Sequence, residues 1–363
     1  MTDVKHQKIA VLGAGSWGTA FAKVLADAAA SSGVDRQVVL WGRNPTTMEA
    51  MQQSRTNEGY FPGVKLPDSM VMTADAAEAL TGASIVVLAI PAQVLRSQLE
   101  VFAPLMEEDA LLVSLAKGLE MGTGLRMSEV MIEVLQGHLI ASGAAPETVE
   151  AVPGRVTVLS GPNLAKEIIA EQPTTSVVAA QSEETARQIA AICAADYFRP
   201  YTNTDIVGVE IGGLVKNVIA LCVGMCEGKQ YGDNSKASVM TRGLAETTRL
   251  ALALGGKSET MSGLAGMGDL IATCASPLSR NHTAGRLLAE GVAPDQLHTV
   301  MTQTAESIKS APVVAELARK VGVEMPITEA VTAVLDRRIS VEELAPALLG
   351  RTLKSEESTP AAS

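Results

Sequence analysis

Aromatic side chains are scarce: four Phe, four Tyr and two Trp make up 3 % of 363 residues. Single-stranded nucleic acids are held by stacking on aromatic platforms, so that shortage argues against base recognition. Positive charge is short as well. There are 29 Lys and Arg against 40 Asp and Glu, a formal net charge of -11, and such a surface has no general attraction for a polyanion. No nucleic-acid partner is expected, and an anionic ligand would need a local cluster of cations.

Cysteine is sparse and unpatterned. Cys193, Cys222, Cys226 and Cys274 form no C-x-x-C and no zinc spacing. Cys222 and Cys226 fall one helical turn apart, but no histidine or further cysteine lies near them, so they read as buried small hydrophobes. The opening MTDVKHQK has no apolar core of a secretory signal. The apolar run from Ala83 to Ile90 is too short to span a bilayer and stops at Pro91. No membrane span is expected, and unpaired cysteines suit a reducing, cytoplasmic setting. His, Asp and Glu form no metal-binding cluster either, so any acid–base work falls to another group.

What the chain has is aliphatic bulk, 47 % hydrophobic residues, in a length that suits two domains. Its organising stretch is Lys8 to Ala30. Ile9 to Leu12 predicts a strand buried on both faces. Gly13-Ala-Gly15-Ser16-Trp17-Gly18 follows, and then an alanine-rich helix. Gly13 permits the tight turn, Gly15 lets the backbone approach a pyrophosphate, and Gly18 lets the helix pack on the strand. The helix N-terminus offers amides and a positive dipole end to phosphates. A strand before, a helix after and a second strand at Gln37 to Trp41 make this a dinucleotide-binding fingerprint rather than a bare glycine turn. After the second strand, an NAD reader usually places an acid for the ribose hydroxyl. Here stands Gly42-Arg43-Asn44, which favours or admits the 2′-phosphate of NADP.

Further strands are expected at Met70–Thr73, Ile85–Ile90, Ala110–Leu115, Val156–Ser160 and Thr174–Ala180, with helices between them. The fold class is an α/β Rossmann-type part with a mostly parallel sheet, followed by an all-α part. The boundaries read as 1–204, 205–351 and a polar, disordered tail at 352–363. Strand ends deliver candidate ligand groups: Pro91-Ala92, Lys117 in Ala116-Lys117-Gly118-Leu119-Glu120, and Gly161-Pro162-Asn163. Each is either a site element or a plain loop. A long helix capped by Thr204 or Asp205 runs to Gly228. Gly212-Gly213 inside it cost roughly 1 kcal/mol each relative to alanine, so another helix or a cofactor approaches closely there. Lys216 lies in the apolar run VKNVIALCVGM. It is either a desolvated proton carrier or a snorkelling surface lysine. Gly263 to Asp269 reads as a flexible loop ending in a carboxylate. Ser279-Arg280-Asn281 before a helix is a phosphate receptor, a helix cap, or both. Later helices are expected over Ser310–Gly322, Ile327–Arg337 and Val341–Leu349, and no internal repeat is found.

Taken together, GAGSWGTA, AIPAQ, AKGLE, SGPNLAKE, EIGGLVKNVIA, GLAGMGDL and SRNHTAG resemble the NAD(P)-dependent glycerol-3-phosphate dehydrogenase family, in order over nearly the whole chain. The resemblance implies an oxidoreductase that interconverts dihydroxyacetone phosphate and sn-glycerol 3-phosphate with NAD or NADP, feeding glycerophospholipid synthesis. It implies that Lys216 is the general acid/base, Lys117 the second site lysine touching substrate and cofactor, and Asp269 the holder of the lysines or of a substrate hydroxyl. Ser279, Arg280 and Asn281 match the substrate-contacting stretch, with Arg280 also reaching the cofactor. Gly161 and Asn163 match the loop lining the substrate. Ser16, Trp17, Arg43, Ala165 and Glu306 match cofactor contacts. Two positions depart from the family pattern: Asn163 stands where many relatives have Ser or Thr, and Ala305-Glu306-Ser307 stands for Val-Glu-Gly. A homodimer is expected. Other dehydrogenases of similar plan, of 3-hydroxyacid or 6-phosphogluconate type, and a nucleotide-sensing regulator remain as rival readings.

Overall fold

The computed structural model describes residues 7–301 and 305–352. Eight strands form one sheet: β1 (Gln7–Leu12), β2 (Arg36–Trp41), β3 (Met70–Thr73), β4 (Ile85–Leu88), β5 (Leu111–Ser114), β6 (Val156–Ser160), β7 (Thr174–Ala180) and β8 (Phe198–Asn203). Their spatial order is β3-β2-β1-β4-β5-β6-β7-β8. All neighbours are parallel except β6 and β7. Period-two alternation sends adjacent residues of β1 to opposite cores. Ile9 and Val11 pack with Phe21 and Val24 of the helix Ser16–Ser32, while Ala10 and Leu12 pack with Leu95, Leu99 and Phe102. Both faces are therefore covered, as parallel strands require.

The seven expected strands are present, β1 and β2 beginning two and one residues earlier and β4 and β5 each two residues shorter. The helices Met127–Ser142 and Pro146–Arg155 and the strand β8 were not read from the sequence. β8 is an edge strand and carries Pro200, a residue that edges tolerate because no ladder donor is lost. The chain leaves β3 and crosses to β4 on the far side of β1, which puts the reversal of strand order, and the ligand crevice, between β1 and β4.

After Asn203 the described residues form helices and no further strand. The central helix, Ile206–Gly228, is N-capped by Asp205, whose carboxylate accepts from the Gly208 amide at 2.8 Å. It is the one described helix long and apolar enough to cross a bilayer, but 83 % of its most apolar window is buried inside the protein. Leu214, Val215 and Ile219 meet Leu250 and Val314 on one side, and Val218, Leu221 and Met225 meet Leu288 and Val331 on the other. The helix Arg280–Ala289 rides directly on its backbone. A Cβ on Gly224 would stand 2.0 Å from the His282 carbonyl oxygen, and one on Gly285 would stand 2.0 Å from that of Leu221. All four cysteines are unbridged and buried.

One loop and two helix bounds differ from expectation. Gly263 to Asp269 is not a flexible loop: Leu264–Gly268 is a π-helical turn running into the helix Asp269–Ala275. Its glycines permit close packing rather than motion, since a Cβ on Gly266 would stand 2.2 Å from the Met261 carbonyl oxygen. The helix expected over Ser310–Gly322 is Ser307–Lys320, and the next is Pro326–Leu335. Apart from residue 352, the tail expected to be disordered lies outside the described residues.

Candidate active site

The glycine turn sits at the crevice. Gly13 has φ +122°, and a Cβ there would meet the Ala89 carbonyl oxygen, just past β4, at 2.4 Å. A Cβ on Gly18 would stand 1.9 Å from the Gly13 carbonyl oxygen, whereas one on Gly15 meets nothing within 4 Å. Gly13 and Gly18 are thus required by the protein's own packing, and Gly15 keeps space for something from outside. The helix Ser16–Ser32 begins at Gly15 with no side-chain cap and no acid in its first turn, so its positive end is left for an anion. The indole Nε1 of Trp17 is buried without a partner. These residues fit a bound dinucleotide. Asn57, which no sequence pattern singles out, braces the turn by donating to the Ala14 carbonyl oxygen (3.2 Å) and Thr19 Oγ1 (2.9 Å). Arg43 is exposed just beyond β2. Gly42 beside it packs on the turn, for a Cβ there would lie 2.9 Å from Ala14 Cβ. Ala165 opens the short helix Ala165–Ile169 and packs on the same core as Trp17.

At the C-terminal ends of β5 and β6 the sheet meets the central helix, and two lysines converge on one carboxylate. Lys216 Nζ donates to Asp269 Oδ1 and, at 2.8 Å, to Thr273 Oγ1. Lys117 Nζ donates to Asp269 Oδ2 at 2.7 Å and to the Gly161 carbonyl oxygen at 3.1 Å. Asp269 is 1 % exposed, Lys216 8 % and Lys117 14 % by side chain. Burial, only partly opposed by Asp269 and reinforced by the Lys117 charge, brings the Lys216 ammonium down to about 7. Lys216 is therefore not a snorkelling surface residue. Thr273 was missed in the sequence, although it lies four residues after Asp269 and hence on the same helix face. Gly161 (φ +137°) presses on Ser176. Asn163 donates to Ser176 Oγ at 3.0 Å, and its Oδ1, like the Ser160 hydroxyl, is buried without a partner. The approach foreseen at Gly212-Gly213 is by another helix at Gly212, the π-helical turn Leu264–Gly268, and by the end of β6 at Gly213. A Cβ on Gly212 would meet the Ala265 carbonyl oxygen at 2.6 Å, and one on Gly213 would meet Ser160 Oγ at 2.6 Å.

Ser279 is the N-cap of the helix Arg280–Ala289, its Oγ accepting from the His282 amide at 3.3 Å. Asn281 is held between two elements. Its amide donates to Asn217 Oδ1 at 2.8 Å, and its Oδ1 accepts from the Ser307 amide (3.1 Å) and hydroxyl (2.8 Å). The Ser in Ala305-Glu306-Ser307 thus supplies a hydroxyl bond that glycine would lack. Arg280 is exposed. Glu306 keeps solvent-accessible surface while protein crowds round its carboxyl, and that desolvation pushes its pKa up against the pull of Arg280, Lys117 and Lys216. All three cations lie within electrostatic reach of it.

Sequence models of the NAD-dependent glycerol-3-phosphate dehydrogenase N-terminus and C-terminus match residues 8–186 and 205–346. The chain belongs to this family. A glycerol-3-phosphate dehydrogenase [NAD(P)+] of Thermobifida fusca is 50 % identical over 349 residues, covering 96 % of this chain and 98 % of the relative. One of Corynebacterium glutamicum is 49 % identical over 349 residues, covering 96 % and 99 %. The crystal structure of glycerol-3-phosphate dehydrogenase from Coxiella burnetii superposes with a TM-score of 0.84 at 33 % identity, covering 96 % of this chain and all of that one. The family's two-part plan, a Rossmann-like sheet followed by helices, is the plan described above.

Proposed function

We propose that this dehydrogenase interconverts dihydroxyacetone phosphate and sn-glycerol 3-phosphate with NAD(H) or NADP(H), supplying glycerol 3-phosphate for glycerophospholipid synthesis. The observation that carries the reading is the pair of ammonium groups on one buried carboxylate, with Lys216 depressed towards neutrality. The nicotinamide, when bound, supplies or receives the hydride at C2. The protein's task is then to position C2 and to manage one proton. Lys216 takes the C2 hydroxyl proton in the oxidative direction and returns it in reduction. Its position near 7 keeps both forms populated at working pH, as a general acid–base requires. Asp269 and Thr273 hold the amine in place, and Lys117 adds the positive charge that an anionic substrate and a developing C2 oxyanion need.

Arg280 and the cap at Ser279 receive the phosphate, and Gly161 and Asn163 line the other side of the substrate. Asn281 has a second amide hydrogen, so it can hold Asn217 and still reach a phosphate oxygen. Gly13, Gly15, Ser16, Trp17 and Gly18 seat the pyrophosphate, Arg43 the adenosine ribose with its 2′-phosphate, and Ala165, Lys117, Arg280 and Glu306 the rest of the cofactor. The division of the chain falls at 204/205, where Asp205 starts the central helix. The enzyme works in the cytoplasm, in keeping with four unbridged cysteines. It acts as a homodimer, for which exposed Met267, Ile271 and Leu278 offer apolar surface.

Lys216→Met decides the central assignment. We expect turnover to fall by ~100-fold or more, the size of a lost general acid–base, with cofactor binding retained. Wild-type oxidation should gain rate as the pH rises through about 7, and reduction should lose it. Comparable rates on dihydroxyacetone and its phosphate would remove the phosphate receptor, and an active Lys216→Met would remove the proton carrier.

A further inference from the structure

Glu210 is a carboxylate in the core of the protein that the reaction does not use. It lies on the central helix, 9 % exposed, and both of its oxygens are engaged. Oε1 accepts from the Ser128 amide at 2.9 Å, and Oε2 accepts from Ser128 Oγ at 2.6 Å and from Arg126 Nη1 at 2.7 Å. Burial pushes its carboxyl up, against the pull of Arg126 and Ser128. A buried ion pair of this kind adds little net stability over apolar side chains of the same volume, so its value lies in direction.

The partners belong to the segment that carries Lys117. The chain leaves β5, passes Lys117 and Leu119, turns, and comes back to pair Arg126 with Leu119; the Glu120 amide donates to the Leu125 carbonyl oxygen at 2.9 Å. Ser128 stands in the first turn of the helix Met127–Ser142 that follows. Leu119 is wholly buried among Ile211, Leu214 and Val215 of the central helix, and Lys117 Cγ and Cδ lie 3.6 Å from a Cβ built on Gly213. The hairpin therefore touches the helix of Lys216 through apolar contacts, which can slide, and through Glu210, whose three hydrogen bonds cannot slide without breaking.

The geometry points to Glu210 as a positioning residue: by gripping Arg126 and Ser128 it fixes the hairpin of Lys117 against the helix of Lys216, and so sets the spacing of the two ammonium groups over Asp269. This rests on the assignment of Lys216 as proton carrier. The groups facing Lys216 are Asp269, Thr273 and Lys117, with Cys274 and Glu306 within electrostatic reach. Loosening the hairpin withdraws the Lys117 charge and leaves Asp269 to Lys216 alone. Both changes favour the ammonium form, so the titration of Lys216 moves to higher pH.

The test compares Glu210→Gln and Arg126→Met with the wild-type enzyme in thermal unfolding, in kcat and KM for both substrates, and in the pH profile of the oxidative direction. A misplacement of about 1 Å at a reacting group costs up to ~100-fold. We expect kcat to drop about tenfold and the rising limb to move alkaline by about one unit, within the range nearby charges produce. Arg126→Lys, which keeps the charge, should recover much of both effects. A folded Glu210→Gln with wild-type kcat and limb overturns the proposal. So does a lowered melting temperature with an unmoved limb, which marks a purely structural role. If Glu210→Gln does not fold, the Arg126 variants decide the question from the other side of the pair, by the same kcat and the same limb. Lys216→Met serves as the separate check: if that variant turns over, the proton assignment fails, whereas an inactive Lys216→Met beside an unmoved limb in Glu210→Gln removes the clamp alone.

Discussion

Gly213 faces Ser160 across the joint between helix and sheet, so closely that a Cβ on Gly213 would stand 2.6 Å from the serine hydroxyl. This contact brings the end of β6 against the helix turn just before Lys216. One residue earlier, Gly212 faces the Ala265 carbonyl oxygen at the same 2.6 Å, in the turn that delivers Asp269. The glycine pair therefore seats two different segments of the site on adjoining sides of one helix.

The two glycines should differ in their tolerance of a methyl group. Ser160 Oγ is a side-chain atom that can rotate away, whereas the Ala265 oxygen is backbone and moves only with its turn. Gly212→Ala should therefore lower kcat/KM by on the order of tenfold or more through displaced Asp269, and Gly213→Ala by much less. Alanine gains roughly 1 kcal/mol of helix propensity, which does not offset the clash at Gly212. Steady-state kinetics with melting temperatures check this. Equal, full activity in both variants would show that the turn adapts without cost.

Within the glycine turn, packing and ligand binding should separate cleanly. Gly15 has ordinary φ (-77°) and open space around it, so Gly15→Ala should keep the melting temperature while weakening NADPH binding at least about tenfold, or roughly 1.4 kcal/mol. Gly18→Ala places a methyl 1.9 Å from the Gly13 carbonyl oxygen and should instead destabilise the fold by about 1–3 kcal/mol. Calorimetric titration and thermal unfolding on both proteins separate the two roles.

Arg43 should weigh between the two cofactors. An exposed guanidinium beside the turn can pair with a 2′-phosphate but gains little from a 2′-hydroxyl. A hydrogen bond to a charged group contributes about 1.5–3 kcal/mol. Arg43→Ala should raise KM for NADPH by at least about tenfold and barely change KM for NADH. Parallel rises for both cofactors would assign Arg43 to general attraction instead.

Glu246 predicts a stability change with pH. Its carboxylate is 3 % exposed and accepts from the Ile327 (2.7 Å) and Thr328 (3.3 Å) amides at the start of the helix Pro326–Leu335. Burial pushes it up to about 7 despite those amides, whereas an unfolded Glu titrates near ~4.3. The folded state thus holds the proton more tightly. The contribution to stability is complete below ~4.3 and is lost as the pH rises through about 7. The melting temperature of the wild type should fall, relative to Glu246→Gln, between about pH 5 and about pH 8, by the equivalent of roughly 3 kcal/mol at most. A difference that does not change with pH would mean the carboxylate stays ionised throughout.

Local pattern and tertiary contact decided different things. Seven strands, the turn Gly13 to Gly18 and the central helix were legible because each is written in contiguous residues: a β-branched run, a glycine spacing, a capping aspartate before an apolar stretch. The strand β8 was not, since Pro200 and polar neighbours hide an edge strand that pairs on one side. The run Gly263 to Asp269 reads as flexible on composition, yet it forms a helical turn packed on Met261 and Gly212, with Gly266 allowing the close approach.

The sequence by itself determined that a dinucleotide turn opens the chain, that a lysine sits in an apolar helix, and which family those fragments resemble. Only the tertiary structure decided that Lys117 and Lys216 share Asp269, that Asn281 is locked between Asn217 and Ser307, and that Glu210 reaches Arg126 across 84 residues of chain. Propensity and periodicity act over a few residues, so they place elements. The charge of a buried amine depends on what stands within a few ångströms of it, and that is fixed when the sheet and the helices close on each other.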